Sequence, residues 1–81
     1  MRIVMIGAGG VGSSAAAIAA RRDFATDLVV ADYDETRARS VVDRIGDQRL
    51  RSARVDAGDR AAVAELLRSS KADAVLNACD P

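Results

Sequence analysis

The sequence predicts an α/β domain with a doubly wound parallel sheet, and three observations support this fold class. Short apolar runs alternate with helical segments, as expected for parallel strands joined by right-handed crossovers. The first run, Ile3–Ile6, is apolar throughout, which indicates a strand buried on both faces. It stops at the glycine cluster GAGGVG, residues 7–12, a turn typical of the first strand-to-helix connection in such domains.

Strands and helices are predicted in the order β-α-β-α-β-α-β. The strands correspond to apolar runs at Ile3–Ile6, Leu28–Ala31, Leu50–Val55 and Ala72–Asn77. The third run is the weakest, because arginines interrupt it. The fourth contains Ala74-Val75-Leu76 and is expected to be a buried strand.

The helices are predicted from alanine content, capping residues and the spacing of apolar side chains. The first, Ser13–Arg22, is rich in alanine and contains no proline. The second follows Asp34 as N-cap and ends at Gly46, and the third follows Asp59. Apolar residues line the inner faces of the second and third helices at helical spacing: Ala38, Val41, Val42, Ile45, Ala62, Val63, Leu66 and Leu67.

The chain is expected to be one domain, residues 1–81, and a fragment of a longer protein. No linker, internal repeat or low-complexity segment divides its 81 residues. A complete doubly wound dinucleotide domain has about six strands. We therefore expect only the first β-α-β-α-β-α-β portion of such a domain here.

Composition argues against several classes of protein. The chain is 49% hydrophobic and 30% charged with no formal net charge, which disfavours disorder, a membrane span and nucleic-acid binding. With one cysteine, Cys79, and no histidine, the chain can form neither an internal disulfide nor a histidine-based triad or zinc cluster. The N-terminal apolar run is too short for a signal peptide, so we expect a cytoplasmic location.

The glycine cluster fits the pattern G-x-G-x-x-G through Gly7, Gly9 and Gly12, with Gly10 as an extra glycine. In a Rossmann-type fold the first glycine permits the tight turn, the second lets the backbone approach a pyrophosphate, and the third lets the helix pack closely. The N-terminus of that helix then binds the phosphates. The alternative is that these glycines only form a tight strand-to-helix turn.

Asp32 ends the second strand twenty residues after Gly12, the spacing at which an acidic residue binds the adenosine ribose hydroxyls. Its carboxylate would repel a 2′-phosphate, so the sequence favours NAD over NADP. Arg37 leaves NADP possible, because an arginine nearby accommodates a 2′-phosphate. The alternative for Arg37 is a solvated position on the helix surface.

Residues beyond the third and fourth strands complete the predicted site. Asp56 lies where a side chain meets the adenine edge, with Val55 and Ala57 beside the ring; a surface turn is the alternative for this segment. Asn77, Ala78 and Cys79 leave the fourth strand beside the expected switch point, where ligands bind in open α/β sheets. Cys79 is expected to be a buried or semi-buried bystander, because no base is near it in sequence.

Four phrases together resemble the N-terminal cofactor domain of the saccharopine dehydrogenase family: MRIVMIGAGGVGSSAA, VVADYDETRA, RVDAGD and DAVLNACDP. The resemblance implies a nicotinamide-dinucleotide oxidoreductase acting on a C–N bond of an amino-acid-derived secondary amine, as in lysine metabolism. It implies that the pyrophosphate is held by Gly7, Gly9, Gly10, Val11 and Gly12. By the same resemblance Asp32 binds the adenosine ribose, Asp56 and Ala57 border the adenine, and Ala78 and Cys79 lie near the nicotinamide.

The resemblance also implies what this chain lacks. The family's substrate-binding and proton-transferring residues lie in a later domain, so we expect no catalytic residue in residues 1–81 and leave an oligomer open. Related members that prefer NADPH carry an arginine where this chain has Tyr33, which again favours NAD. An alternative resemblance, based on Gly58-Asp59, is to nucleotide-sensing domains that gate potassium uptake, but NACDP fits that class poorly.

Overall fold

The computed structural model describes residues 1–79, and its centre is a parallel sheet of four strands. The strands are β1 (Arg2–Ile6), β2 (Asp27–Asp32), β3 (Leu50–Arg54) and β4 (Ala74–Asn77). The helices that connect them are α1 (Gly10–Ala20), α2 (Glu35–Ile45) and α3 (Arg60–Ser69). The predicted alternation of strands and helices is confirmed.

The strand order is β3-β2-β1-β4, and every pairing is parallel. The chain winds outward from β1 through β2 to β3, and then crosses to the other side of β1 to form β4. The direction of winding therefore reverses beside β1. In open α/β sheets the crevice at the carboxyl end of such a switch point is where ligands bind.

The two faces of the sheet carry separate parts of the core. On one face Ile3 and Met5 pack with residues of β2, α1 and α2. On the other face Val4 and Ile6 belong to a smaller cluster, against which the apolar side of α3 packs. Because both faces of β1 are covered, its sequence is apolar at every position instead of alternating.

The covering of the sheet is less complete around β4 than the sequence predicts. Val75 and Leu76 are 48% and 47% exposed, although their apolar run predicts a buried strand. Within residues 1–79 β4 pairs only with β1, so one of its edges is open. The helix α3 contacts the smaller cluster through the four apolar residues predicted, but none of its residues is fully buried.

The predicted N-caps of α2 and α3 and the predicted end of α2 at Gly46 are confirmed. The Asp34 carboxylate accepts a hydrogen bond from the Thr36 amide at 3.0 Å, and the Asp59 carboxylate accepts one from the Ala62 amide at 3.1 Å. Gly46 ends α2 in the left-handed conformation, with φ 72°. No helix within residues 1–79 combines the length and the apolar character needed to cross a membrane.

The first helix begins earlier than alanine content indicates. It starts at Gly10, so Val11 and Gly12 form its first turn together with that glycine. Propensity alone assigns glycines to a loop, because each costs about 1 kcal/mol relative to alanine inside a helix. The glycine cluster is thus shared between a turn and a helix N-terminus.

Candidate functional site

The turn after β1 needs glycine at Gly7 for two reasons. Its φ is 107°, in the region that side chains with a Cβ rarely adopt. A Cβ there would lie 2.8 Å from the carbonyl carbon of Ala78 and 2.9 Å from the amide nitrogen of Cys79. The chain leaving β4 therefore passes directly against the turn, and only a bare backbone leaves room for it.

Gly12 holds the first turn of α1 against the same loop. A Cβ at this position would overlap the carbonyl oxygen of Gly7 and would also contact the Ala78 side chain. The helix can therefore approach the end of β1 only because residue 12 has no side chain. This is the close helix–strand packing predicted for the third glycine of the pattern.

The N-terminus of α1 differs from those of the other helices because no side chain caps it. Its N-cap is Gly9, and within residues 1–79 no side chain accepts a hydrogen bond from its first-turn amides. A Cβ at Gly9 or Gly10 would have no neighbour within 4 Å, so the space in front of these amides is open. Unpaired amides and the positive end of the helix dipole together form an anion-binding position.

Asp32 connects this loop to the end of β2. The residue is only 9% exposed, and its carboxylate accepts hydrogen bonds from the Ala8 amide at 2.8 Å and from the Asp34 amide at 2.9 Å. Each oxygen accepts one of these bonds. A carboxylate has about four acceptor positions, so capacity remains for the hydroxyl groups of a ligand.

A cleft of about 260 Å³ unites the three segments at the carboxyl edge of the sheet. Its lining residues are Gly7, Gly9, Asp32, Arg37, Ala78 and Cys79. Two slightly larger hollows, of about 310 Å³ each, include no residue of the glycine loop and no partner of Asp32. The cleft is the better candidate because it combines a cation, a carboxylate and the open N-terminus of α1.

Beyond β4 two hydrogen bonds hold the chain beside the cleft. The Ala78 amide donates to the Ile6 carbonyl at 2.7 Å, and the Asn77 side-chain oxygen accepts from the Cys79 amide at 3.0 Å. Asn77 thus orients this segment. Cys79 is exposed, contrary to the expectation of a buried or semi-buried side chain, because it follows an open sheet edge.

Asp56 and Ala57 lie beyond β3 and do not line the cleft. The Asp56 carboxylate accepts a hydrogen bond from the Gly58 amide at 2.9 Å, and both residues are exposed in a turn before α3. Val55, in contrast, is buried in the smaller core cluster, so the expectation that its side chain lines an adenine ring is wrong. The adenine assignment of Asp56 and Ala57 stays a prediction.

Residues 3–81 match the family model described as the saccharopine dehydrogenase NADP binding domain. The chain belongs to this family. The match covers nearly all of the chain and bears out the first of the two resemblances seen in the sequence. No curated protein matches the chain. Membership in the saccharopine dehydrogenase family makes the domain a dinucleotide-binding module of an oxidoreductase family.

The residues present fit the nicotinamide dinucleotide that this family membership implies. The open amides at the start of α1 suit a pyrophosphate, and the Asp32 carboxylate at the end of β2 suits ribose hydroxyls. Within residues 1–79 no cluster of three metal-ligating side chains is present. The charged side chains that line the cleft are the Asp32 carboxylate and the Arg37 guanidinium.

Two contacts of this saccharopine dehydrogenase-type site were not predicted from the sequence. They are the Ala8–Asp32 hydrogen bond and the position of Arg54 over the Tyr33 ring, 4.6 Å from its centroid. Parallel register places the end of β3 beside the end of β2, but it does not give the direction of either side chain. Arg37, for which the sequence left two positions open, lines the cleft.

Proposed function

We propose that this chain binds a nicotinamide dinucleotide in the cleft, as the cofactor-binding part of an oxidoreductase acting on an amino-acid-derived secondary amine. The observation that carries the proposal is the uncapped N-terminus of α1, which opens onto a cleft shared with the Asp32 carboxylate. Helix N-termini bind phosphate groups, and a carboxylate at the end of the second strand binds ribose hydroxyls. Family membership supports the same reading.

The proposal assigns each segment of the cleft to one part of the dinucleotide. The amides of Gly9, Gly10 and Val11 bind the pyrophosphate, while Gly7 and Gly12 keep the loop narrow enough for this. Asp32 binds the adenosine ribose, Asp56 and Ala57 border the adenine, and Ala78 and Cys79 lie on the nicotinamide side. When bound, the nicotinamide supplies the hydride acceptor or donor for the carbon that bears the amine.

We propose that NAD is preferred and that NADP is accepted more weakly. The Asp32 carboxylate is fixed in the cleft by two amides, so it cannot move away from a 2′-phosphate. Arg37 also lines the cleft and has no ion-pair partner within the described part of the chain, which gives a 2′-phosphate one favourable contact. The family description names NADP, and Arg37 is the residue through which this chain would bind it.

Catalytic groups are absent from this proposal for residues 1–79. None of the cleft side chains is placed as a general acid or base, and the residues that bind the amine and transfer its proton are proposed to come from a further domain. Saccharopine, the family's namesake, is the first substrate to test. A cytoplasmic location belongs to the proposal as well.

The dinucleotide site is tested by calorimetric titration of the intact protein with NAD and NADP. Gly9→Val fills the open space before the α1 amides, and its backbone (φ −73°, ψ −163°) suits valine. We expect NAD binding to weaken on the order of 100-fold, from two lost charge-assisted hydrogen bonds of roughly 1.5 kcal/mol each. Ser40→Val, on the exposed surface of α2, is the matched control and retains normal binding.

Cofactor choice and substrate class are tested separately. Arg37→Gln is expected to weaken NADP about tenfold and NAD much less, the effect of one lost charge contact of about 1.4 kcal/mol. Equal losses for both nucleotides would remove Arg37 from the 2′-position. Saccharopine is then assayed with NAD by the appearance of reduced nicotinamide. Tight NAD binding without turnover of this amine would contradict the substrate class and leave the dinucleotide site intact.

A further inference from the structure

One side-chain hydrogen bond crosses from α2 to the beginning of α1. The Arg44 guanidinium donates to the Ser13 hydroxyl oxygen at 2.9 Å, although the two residues are 31 positions apart in the chain. Within residues 1–79 it is the only side-chain hydrogen bond between these two helices. Ser13 is the fourth residue of α1. The contact is therefore made at the helix end that the proposed function assigns to the pyrophosphate.

The Arg44 guanidinium serves α1 and not its own helix. Arg44 lies in the last turn of α2, where a basic side chain ordinarily interacts with the C-terminal carbonyls of the same helix. Helical side chains lean toward the helix N-terminus. The N-terminus of α2 follows the carboxyl end of β2, and α1 begins at the same edge of the sheet. This lean therefore carries the guanidinium toward the beginning of α1.

No carboxylate within residues 1–79 neutralises the Arg44 charge. The arginines that form ion pairs in this part of the chain are Arg2, Arg39, Arg49 and Arg68. The first turn of α1 contains no acidic residue. The positive end of the α1 dipole thus has a full positive charge beside it, without a counter-ion from the described residues.

This placement of charge opposes the stability of the free helix and favours a bound anion. Cations stabilise helix C-termini, whereas a cation near an N-terminus is repelled by the dipole. At α2 the chain has the stabilising sign, because Glu35 lies in the first turn. At α1 the repulsion is relieved when an anion binds, since the ligand attracts both the dipole and the guanidinium.

Ser13 connects Arg44 to the candidate phosphate position. Its amide donates to the Gly9 carbonyl at 2.7 Å and closes the first hydrogen-bonded turn of α1. Its hydroxyl oxygen accepts the hydrogen bond from Arg44. Gly9 is the N-cap and lines the cleft. One backbone hydrogen bond therefore separates the residue that Arg44 holds from the open end of the helix.

We propose that Arg44 is a positioning residue for the phosphate site. It holds the first turn of α1 through Ser13, and its charge raises the affinity of that turn for a pyrophosphate. The inference rests on the proposed function, because it takes the α1 amides as the phosphate ligands. Arg44 does not line the cleft. Its removal weakens anion binding without weakening the fold, whereas loss of a merely structural contact would lower both.

The test measures NAD binding and thermal melting of the intact protein at low ionic strength. Arg44→Gln is expected to weaken NAD and inorganic pyrophosphate about threefold, the effect of one charge near a helix end. Its melting temperature should not fall, and the difference in affinity should shrink as salt is added. Adenosine carries no charge and should compete with NAD equally in both proteins. Arg44→Lys keeps the charge and should bind pyrophosphate nearly as wild type does.

Three further variants separate the charge from the hydrogen bond. Arg68→Gln makes the same change in net charge at an exposed position in the last turn of α3, and should leave binding unchanged. Ser13→Ala removes the acceptor and should weaken pyrophosphate less than Arg44→Gln does, because the charge remains. The double variant should bind no more weakly than Arg44→Gln alone, since the two residues act through one hydrogen bond.

The two levels of inference are distinguished by their outcomes. A lower melting temperature together with weaker adenosine binding in Arg44→Gln would make Arg44 a structural contact and overturn the inference. A lysine variant as weak as the glutamine variant would overturn it too. If wild-type protein binds neither NAD nor pyrophosphate, the proposed function itself is wrong. If Gly9→Val weakens NAD binding and Arg44→Gln does not, only the role of Arg44 is wrong.

Discussion

The N-termini of α1 and α2 face the same edge of the sheet but are treated in opposite ways. At α2 the Asp34 carboxylate accepts the Thr36 amide, and Glu35 adds a negative charge in the first turn. At α1 the cap is Gly9, and the first turn contains no acidic residue. An N-cap side chain contributes about 1 kcal/mol to helix stability. The N-terminus of α1, whose N-cap Gly9 lines the cleft, lacks that contribution.

The comparison teaches how stability and binding divide between equivalent positions. The third helix is capped in the same way as α2, because the Asp59 carboxylate accepts a hydrogen bond from the Ala62 amide. Two helices therefore satisfy their own amides, and one keeps them available for an anion. Substitutions at the ends of α1 and α2 change which of these groups are capped, and they are given from the largest expected effect to the smallest.

Gly12→Ala is expected to have the largest effect, because it separates α1 from the loop that positions it. The new Cβ overlaps the Gly7 carbonyl oxygen, and both are backbone-fixed. We expect the free energy of unfolding to fall by about 3 kcal/mol, the upper range for overpacking, and NAD binding to be lost. Urea unfolding and NAD titration measure the two effects. Gly10→Ala, where a Cβ meets nothing within 4 Å, should leave the free energy of unfolding nearly unchanged.

Gly9→Asp would convert the α1 N-terminus into one like that of α2. Its carboxylate can accept a first-turn amide, so helix stability should rise by about 0.5 kcal/mol. The same carboxylate occupies the phosphate position and repels it, so NAD should bind about 100-fold more weakly, or roughly 2.7 kcal/mol. Thermal melting and calorimetry measure both. A variant that binds NAD as well as wild type would show that α1 is not the phosphate site.

Asp34→Ala makes the reverse change and removes the cap from α2, whose N-terminal amides have no ligand role in the proposal. The Thr36 amide loses its acceptor, and we expect a loss of about 1 kcal/mol in the free energy of unfolding. Urea unfolding measures it. NAD affinity should change little, since the Asp34 side chain does not line the cleft. A loss of affinity larger than the loss of stability would mean that this cap supports the site.

The smallest effect is expected at the opposite end of α1. There Arg49 donates to the carbonyls of Ala20, Arg22 and Ala25 and to both carboxylate oxygens of Asp47. The hydrogen bonds from the Arg49 guanidinium to the Asp47 carboxylate lower the pKa of Asp47 from 3.8 to about 2, and the hydrogen bond from the Arg49 backbone amide adds to this effect. The C-terminus of α1 is thus closed by a side chain, while its N-terminus stays open.

The sign of the pH effect follows from the lowered pKa. A carboxylate that ionises more readily when folded stabilises the fold above its unfolded pKa, and this contribution is lost as pH falls from about 4 to about 2. Asp47→Asn should flatten the acid dependence of stability in that window and leave stability near pH 7 only slightly lower. The pair is partly exposed, so the change is small. An unaltered acid profile would contradict the assignment to Asp47.

The features that sequence predicted are those set by local geometry. Gly7 and Gly12 were assignable because a turn and a close helix contact admit no other residue, and Asp34 and Asp59 because a cap acts within three residues. The exposure of β4 was not predictable, because a strand with a paired outer edge and a strand with an open one can have the same apolar sequence. The entry of the Arg37 side chain into the cleft and the stacking of Arg54 on Tyr33 depend on side-chain direction, which residue spacing does not encode.

Asp32 has a consequence for anyone who would redesign cofactor choice in this domain. Its carboxylate faces the ribose in the proposal, yet it also accepts the Ala8 and Asp34 amides and so fixes the glycine loop to the start of α2. Exchanging Asp32 for a neutral residue would loosen that loop at the same time as it admits a 2′-phosphate. A change of cofactor is better engineered at Arg37 or Tyr33, leaving the aspartate that shapes the loop in place.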